Sequence, residues 1–444
     1  MNKRTSPPRP DTTPLRGRPA RLRRCLRYGT AILLIAGSAA ALGSSGPSRA
    51  APAARQQTET AATPSTARGT PLWVEPLRTL SESGTRKYLK HAEFSAAGVR
   101  HGVRLLRVVY RTVDPHGRPT TASGLLALPV GPTGTLTTVS FAHGTTSYRG
   151  DAPSSLPEDG FTSAPAVAYA SAGYAAVAPD YLGLGVGPGP QPWFDAPSES
   201  AASLDLLRAA RAYTAGLATR TGSDVLATGF SQGASAALAL ARSLQDGADP
   251  SFRVRAVAPV SGAYAFRSTE LPALLNGSIP PQVAVPYVSY LLTSYDRVYG
   301  VYRSPAELFR QPYADRVETL FNSEVPGQDM MRALPSSLQK LLTAKGFQQL
   351  QHPTGGLARG LRTADAVCAA RLSTSVRLDY AKNDEQAVNA NTAACMTSLR
   401  QHGTAVRTDE LGTPDYAGSR HLGSAVAGVT DTLHWFHQVA PPRD

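Results

Sequence analysis

The residues Gly229-Phe230-Ser231-Gln232-Gly233 set a serine between two glycines, behind the apolar run Val225-Leu226-Ala227-Thr228 and ahead of the helical pattern Ala234–Leu244. A strand-to-helix turn this tight admits only small residues beside the serine, and it pushes the hydroxyl out above the sheet edge, where it can attack a carbonyl. The five-residue pattern alone is common in proteins; the strand before it and the helix after it make Ser231 the expected nucleophile. On such an elbow the partners follow in the order serine, acid, histidine. Five histidines lie beyond Ser231, and four of them (His352, His402, His434 and His437) read as surface or helix-end residues. His421 follows the last strand and the polar turn Gly412–Arg420, at the start of the terminal helix, where a general base can reach the nucleophile. The acid is expected just past the preceding strand, Ser375–Ala381, and Asp384 is the first carboxylate there. Asp379 lies inside that strand and reads as structural, while Glu385 is the rival. In this scheme Asp384 holds His421 in the right tautomer and stabilises the imidazolium.

Acyl transfer also requires two N–H donors for the developing oxyanion, each worth roughly 3–4 kcal/mol in the transition state. One is the amide of the residue after the nucleophile, Gln232. The other is expected from the loop after the third predicted strand, Ala142-His143-Gly144-Thr145-Thr146, with Thr145 as donor and His143 as a structural loop residue. No metal or cofactor is called for: there is no Cys/His ligand cluster, and Gly183-Leu184-Gly185-Val186-Gly187 lacks the spacing and following helix of a dinucleotide site.

These groups need a scaffold that brings strand ends together. From Val103 onward, short β-rich runs alternate with helical patterns, which predicts one large α/β domain with a mostly parallel sheet covered on both faces. Eight strands are expected, at Val103–Arg111, Ala122–Pro129, Thr137–Ala142, Tyr174–Pro179, Asp224–Gly229, Arg255–Ser261, Ser375–Ala381 and Ala405–Leu411. Helices are expected at Ser163–Ala172, Glu199–Ala218, Gln232–Leu244, Asp384–His402 and Leu422–Gln438; in the second, Leu206, Ala209, Ala210, Tyr213 and Leu217 keep one apolar face at helical spacing. Between about Tyr264 and Ala364 the alternation stops, and tyrosine-rich helical periodicity without a strand run implies an inserted helical cap. Its aromatic and aliphatic composition suits an acyl chain and equally suits the cap's own core.

Taken together, the chain resembles the secretory lipases typified by Candida antarctica lipase A, within the α/β-hydrolase superfamily. The carriers are His143-Gly144-Thr145-Thr146, Ala152-Pro153-Ser154, Ala178-Pro179-Asp180-Tyr181-Leu182-Gly183, Gly229 to Gly233, Leu275-Asn276-Gly277, Asn383-Asp384-Glu385 and Arg420-His421-Leu422. The resemblance implies an α/β-hydrolase fold, hydrolysis of carboxylic esters including acylglycerols, and a helical lid in place of Tyr264–Ala364. Position by position it points to Ser231, Asp384 and His421, with Thr145 and Gln232 for the oxyanion. One departure is Asp151, where relatives often carry a cysteine, so a disulfide there is absent and the cap is expected to be tethered differently. A serine peptidase of the same fold and, further off, a catalytically dead hydrolase used as a binding protein are the alternatives.

Charge reads as compartment, not partner. The 444 residues carry 45 Lys+Arg against 32 Asp+Glu, a net +13. Residues 1–50 hold ten of the basic residues against the single acid Asp11, which is +9, and leave an ordinary +4 for the rest; no nucleic-acid partner is expected. A basic run, the uncharged Tyr28–Gly43 and Ser48-Arg49-Ala50 follow the order of a secretory signal peptide over 1–50, with Sec and Tat routes both open. Residues 51–69 read as a disordered lead-in and 70–444 as the hydrolase domain. Export leaves only Cys368 and Cys395, which are expected to pair in an oxidising compartment; two buried free thiols are the alternative. The expected partners are small-molecule or lipid esters, with transient lipid-interface contact through the cap and no transmembrane segment once the signal is removed.

Overall fold

Central runs of Val, Leu and Ala that are apolar on both sides become the middle of a nine-stranded sheet. The computed structural model describes residues 67–442; the expected signal peptide, its cleavage site near Ala50 and most of the lead-in lie outside them. The strands are β1 (Pro71–Leu80), β2 (Gly102–Val113), β3 (Pro119–Val130), β4 (Gly134–Ala142), β5 (Ala175–Pro179), β6 (Thr219–Phe230), β7 (Arg253–Val260), β8 (Ser375–Tyr380) and β9 (Val406–Glu410). Their order is β1-β2-β3-β5-β4-β6-β7-β8-β9. The first four in that order pair antiparallel, and from β5 to β9 all pairs are parallel.

The eight predicted strands are all present, and the count is corrected to nine by β1. That strand carries Pro71 and Pro76, has irregular register beside both, and is mostly exposed. Proline tolerates such a position only at a sheet edge, where its missing N–H is not needed. The same prolines erase the alternation that would have announced the strand. A polar helix, α1 (Glu82–His91), was also hidden, because it buries only Thr85 and Leu89.

Alternate side chains of the central strands feed two cores. Leu125, Ala127, Ala176, Ala178 and Leu226 pack with α2 (Ala164–Ser171) and the terminal helix. Their neighbours Leu126, Leu128, Ala175, Val177 and Val225 pack under α3 (Ala196–Thr214) and α4 (Gln232–Gln245). The predicted α3 stripe holds for Leu206, Ala209 and Ala210, while Leu217 lies beyond the helix end. Between β7 and β8 the chain forms only helices of the cap: α5 (Leu271–Asn276), α6 (Pro281–Tyr299), α7 (Val317–Leu320), α8 (Gly327–Ala333), α9 (Leu338–Leu341), α10 (Ala344–Gln351) and α11 (Gly355–Asp365), besides single turns. They enclose a core of their own, with Tyr290, Tyr295, Leu291 and Phe321 at its centre. Much of the tyrosine content therefore serves packing.

After β8 comes α12 (Ala390–Gln401), and after β9 comes α13 (Arg420–Val439). The helix expected over Asp384–His402 starts six residues later, because Asn383 is left-handed and Asp384 Oδ1 accepts the amides of Gln386 and Ala387, which holds the segment as a loop. Cys368 and Cys395 form a disulfide with Cα atoms 5.3 Å apart. The lead-in ends earlier than expected: the Arg68 guanidinium pairs with buried Asp205 at 3.0 Å, and the Gly69 amide donates to Arg111 O.

Candidate active site

The parallel register of β4 and β6 sets Ala142 opposite Gly229, so the loops carrying residues 143–145 and 230–232 leave the sheet side by side. At the β6–α4 elbow Ser231 has φ 56° and ψ −118°, a backbone state rare for a side-chain-bearing residue. The two glycines answer to space. A Cβ on Gly229 would stand 2.2 Å from Gly233 O, and one on Gly233 would stand 2.0 Å from Ala142 O. The strain is held by the sheet itself, since the Ser231 amide donates to Val260 O at 2.9 Å.

His421 lies in the first turn of α13, whose N-terminus is capped by Ser419 Oγ accepting the Leu422 amide. Its Nε2 is 2.9 Å from Ser231 Oγ and its Nδ1 is 2.8 Å from Asp384 Oδ2. All three side chains are buried. Burial pushes the Asp384 carboxyl up, but the adjacent His421 and the two amides on Oδ1 outweigh it and hold the group below the usual carboxylate range. An ionised carboxylate only accepts, so Nδ1 must carry the proton; in the neutral ring Nε2 is then the acceptor and Ser231 the donor. The arrangement can move a proton from the hydroxyl to the ring while the carboxylate steadies the resulting charge.

The imidazole bonds Asp384, whereas Glu385, the rival acid, bonds the backbone of His421, with that amide 3.4 Å from its carboxylate. It accepts from Ser419 Oγ at 2.5 Å and from the Arg420 amide at 3.2 Å, so it caps the helix that carries His421. Asp379 is bound instead to Arg377 through both carboxylate oxygens, at 2.8 and 2.6 Å. His143 is buried, with Nδ1 2.7 Å from Gly144 O and its ring 4.4 Å from that of Tyr181; burial pushes it down to about 4. It is a neutral loop brace. His402 and His434 bond within their own helices, and His437 stacks on Tyr174.

Thr145 stands in the loop after β4 and Gln232 opens α4. Two motifs that read separately in sequence meet below this loop: buried Asp180 accepts from the Ser154 amide at 2.8 Å, Ser154 Oγ at 2.5 Å and Ser123 Oγ at 2.5 Å. Tyr181, next along, donates to His143 O at 2.9 Å. Sequence reading missed Trp193, which donates to Thr145 Oγ1 at 3.0 Å, and buried Glu199, which accepts from Gln232 Nε2 at 2.6 Å. A Glu set among small residues, Ser198-Glu199-Ser200-Ala201-Ala202, at the start of a helix was the available signal for the second.

Thr145 and Gln386 border a cavity of about 290 Å³ under the cap, walled by Tyr287, Tyr290, Phe321 and Met330. A larger groove of about 570 Å³ beside Arg68, Arg208 and Arg242 includes none of the site residues. With no cysteine at 151, Asp151 accepts from Thr146 Oγ1 at 3.2 Å, and the cap is tied to the same stretch by the Arg149–Glu324 ion pair at 2.7 Å and the Arg149 amide on Ser323 O at 2.9 Å.

No protein-family model matches the sequence, and no curated protein matches it. Among solved structures, the chain is similar to the rice cell wall degrading esterase LipA from Xanthomonas oryzae, with 26% identity and a TM-score of 0.74 over 85% of this chain and all of that one. Candida antarctica lipase A in its closed state aligns at 15% identity and TM-score 0.58, covering 85% of this chain and 84% of that one. A further structure of that lipase gives 14% and 0.55, over 78% and 76%. The chain has the α/β-hydrolase fold. The esterase, at 26% identity, supports an ester hydrolase in general, while the lipase supports the fold. Among the described residues, no helix is long and apolar enough to cross a membrane.

Proposed function

We propose that the protein is an exported serine hydrolase of carboxylic esters, working through an acyl-enzyme. The observation that carries this reading is the imidazole of His421 hydrogen-bonded at once to Ser231 Oγ and Asp384 Oδ2. Ser231 Oγ attacks the ester carbonyl as His421 Nε2 takes its proton. The amides of Thr145 and Gln232 hold the oxyanion, and His421 protonates the departing alcohol. Water, deprotonated by His421, then attacks the acyl-Ser231 carbonyl and the acid leaves. The apolar cavity beside Thr145 supports an ester with an aliphatic or aromatic group. Exposed Met331, which borders it on α8, supports transient contact of the cap with a lipid surface.

A p-nitrophenyl ester series from short to long acyl chains, run beside aminoacyl-p-nitroanilides, tests the reading. Ester turnover with labelling of Ser231 by a fluorophosphonate is expected. Cleavage of anilides alone would make the protein a peptidase, and no turnover with no label would make it a binding protein.

A further inference from the structure

Both expected oxyanion donors are braced by one short segment, residues 191–199, that leads into the first turn of α3. Trp193 Nε1–H donates to Thr145 Oγ1 at 3.0 Å, and six residues on Glu199 Oε1 accepts Gln232 Nε2–H at 2.6 Å. Trp193, Glu199 and Gln232 are each at most 2% exposed. Burial pushes the Glu199 carboxyl up to about 8, so near neutral pH it stays uncharged and suited to an amide neighbour.

The far side of this segment is fastened to the cap. The Trp193 ring stacks on Tyr290 of α6 with centroids 4.9 Å apart and planes at 7°. Tyr290 Oη donates to Gln191 Oε1 at 2.5 Å and Tyr295 Oη to Phe194 O at 3.2 Å, while Tyr299 Oη donates to the carboxylate of Asp195. Asp195 in turn caps α3, accepting the Ser198 amide at 3.1 Å. One helix of the cap therefore grips four residues of a strap whose Trp193 and Glu199 side chains bond Thr145 and Gln232.

We propose that Trp193 and Glu199 are positioning residues for the oxyanion site, and that through them α6 sets the placement of both donors. The inference rests on the ester-hydrolase reading. Oxyanion donors act only when held at the place the charge will develop, and neither brace lines the cavity beside Thr145. A shift of α6 moves the stacked indole, and with it the Thr145 loop; cap position and catalytic competence are thus one variable.

The test compares Trp193→Phe, which keeps the stack and loses the N–H, with Glu199→Leu and Glu199→Gln in the full chain. The readouts are kcat and KM on a p-nitrophenyl ester, together with the Ki of an alkyl boronic acid, whose tetrahedral adduct puts an oxygen where the oxyanion forms. Trp193→Phe and Glu199→Leu should each lower kcat by about tenfold or more with little change in KM, and raise the boronate Ki by a similar factor. Glu199→Gln, still an acceptor for Gln232, should stay near wild type. If Glu199→Leu does not fold, the decision falls to Trp193→Phe. Folded variants with unchanged kcat, a loss confined to KM, or an unmoved boronate Ki would overturn the inference alone. A wild-type chain that turns over no ester would overturn the reading beneath it as well.

Discussion

The two walls of the site are built on different principles. On the sheet side, Ser231 is fixed by short-range steric necessity: Gly229 and Gly233 leave no room for a Cβ, and Ser231 is held at positive φ between β6 and α4. On the cap side, position is set by long-range polar and ring contacts, such as Tyr290 on Trp193 and Gln191, or Arg149 on Glu324. The first kind of wall has one arrangement. The second is a set of individually weak bonds that can be exchanged, which suits the part of an esterase that must fit its substrate. The contrast predicts that substitutions on the sheet side abolish the reaction, whereas those on the cap side retune it.

The deepest cut is Ser231→Ala, expected to lower kcat by about six orders of magnitude and to end fluorophosphonate labelling with the circular-dichroism spectrum intact. Next, Asp384→Asn should cost about four orders, while Glu385→Gln should cost less than about tenfold and only ~1 kcal/mol of stability through the weakened α13 cap. Comparable losses from the two would mean that the acid is misassigned. Replacing Cys368 and Cys395 together by alanine should destabilise the fold by about 2–4 kcal/mol in denaturant titration. On the cap side, Arg149→Ala breaks a partly exposed ion pair, so its stability effect should stay under about 1 kcal/mol; its signature is a shift of KM along the acyl series at constant kcat.

A further prediction concerns pH. Burial pushes Glu270, which accepts from Asn391 Nδ2 at 2.6 Å, up to about 8. Its folded value is above its unfolded one, so the stability it contributes is complete below about 4.5 and is lost as pH rises through about 8. Melting curves should show Tm falling over that interval, and Glu270→Gln should flatten the fall. An unchanged slope would show that Glu270 does not titrate in that interval.

How much of this was legible follows the same division. The elbow, the strand alternation and the serine, acid, histidine order are written in local spacing, and the geometry that joins Ser231, His421 and Asp384 supports them. The first strand was illegible because two prolines break its pattern at an edge that needs no alternation. Asp384 was legible as the first carboxylate after β8, but its loop was read as helix, since helical propensity cannot register an aspartate that captures two amides of its own chain. Trp193 and Glu199 were invisible for another reason: their partners lie 48 and 33 residues away, and no local period encodes such a meeting. The cap was legible as an insertion, and its tyrosines could not be divided between packing and cavity until each one's neighbour was known.

The disulfide has a consequence for how the chain would respond to a proteolytic cut. Cys368 and Cys395 close a ring of chain, 27 residues in sequence separation, that contains β8, the whole loop around Asp384 and the first turn of α12. Lys382 and Asn383, directly ahead of Asp384, are adjacent exposed residues in that ring. A tryptic cut there would leave both new ends covalently fastened, one through β8 and the other through α12. The nicked molecule would keep Asp384 tethered on the same side as His421.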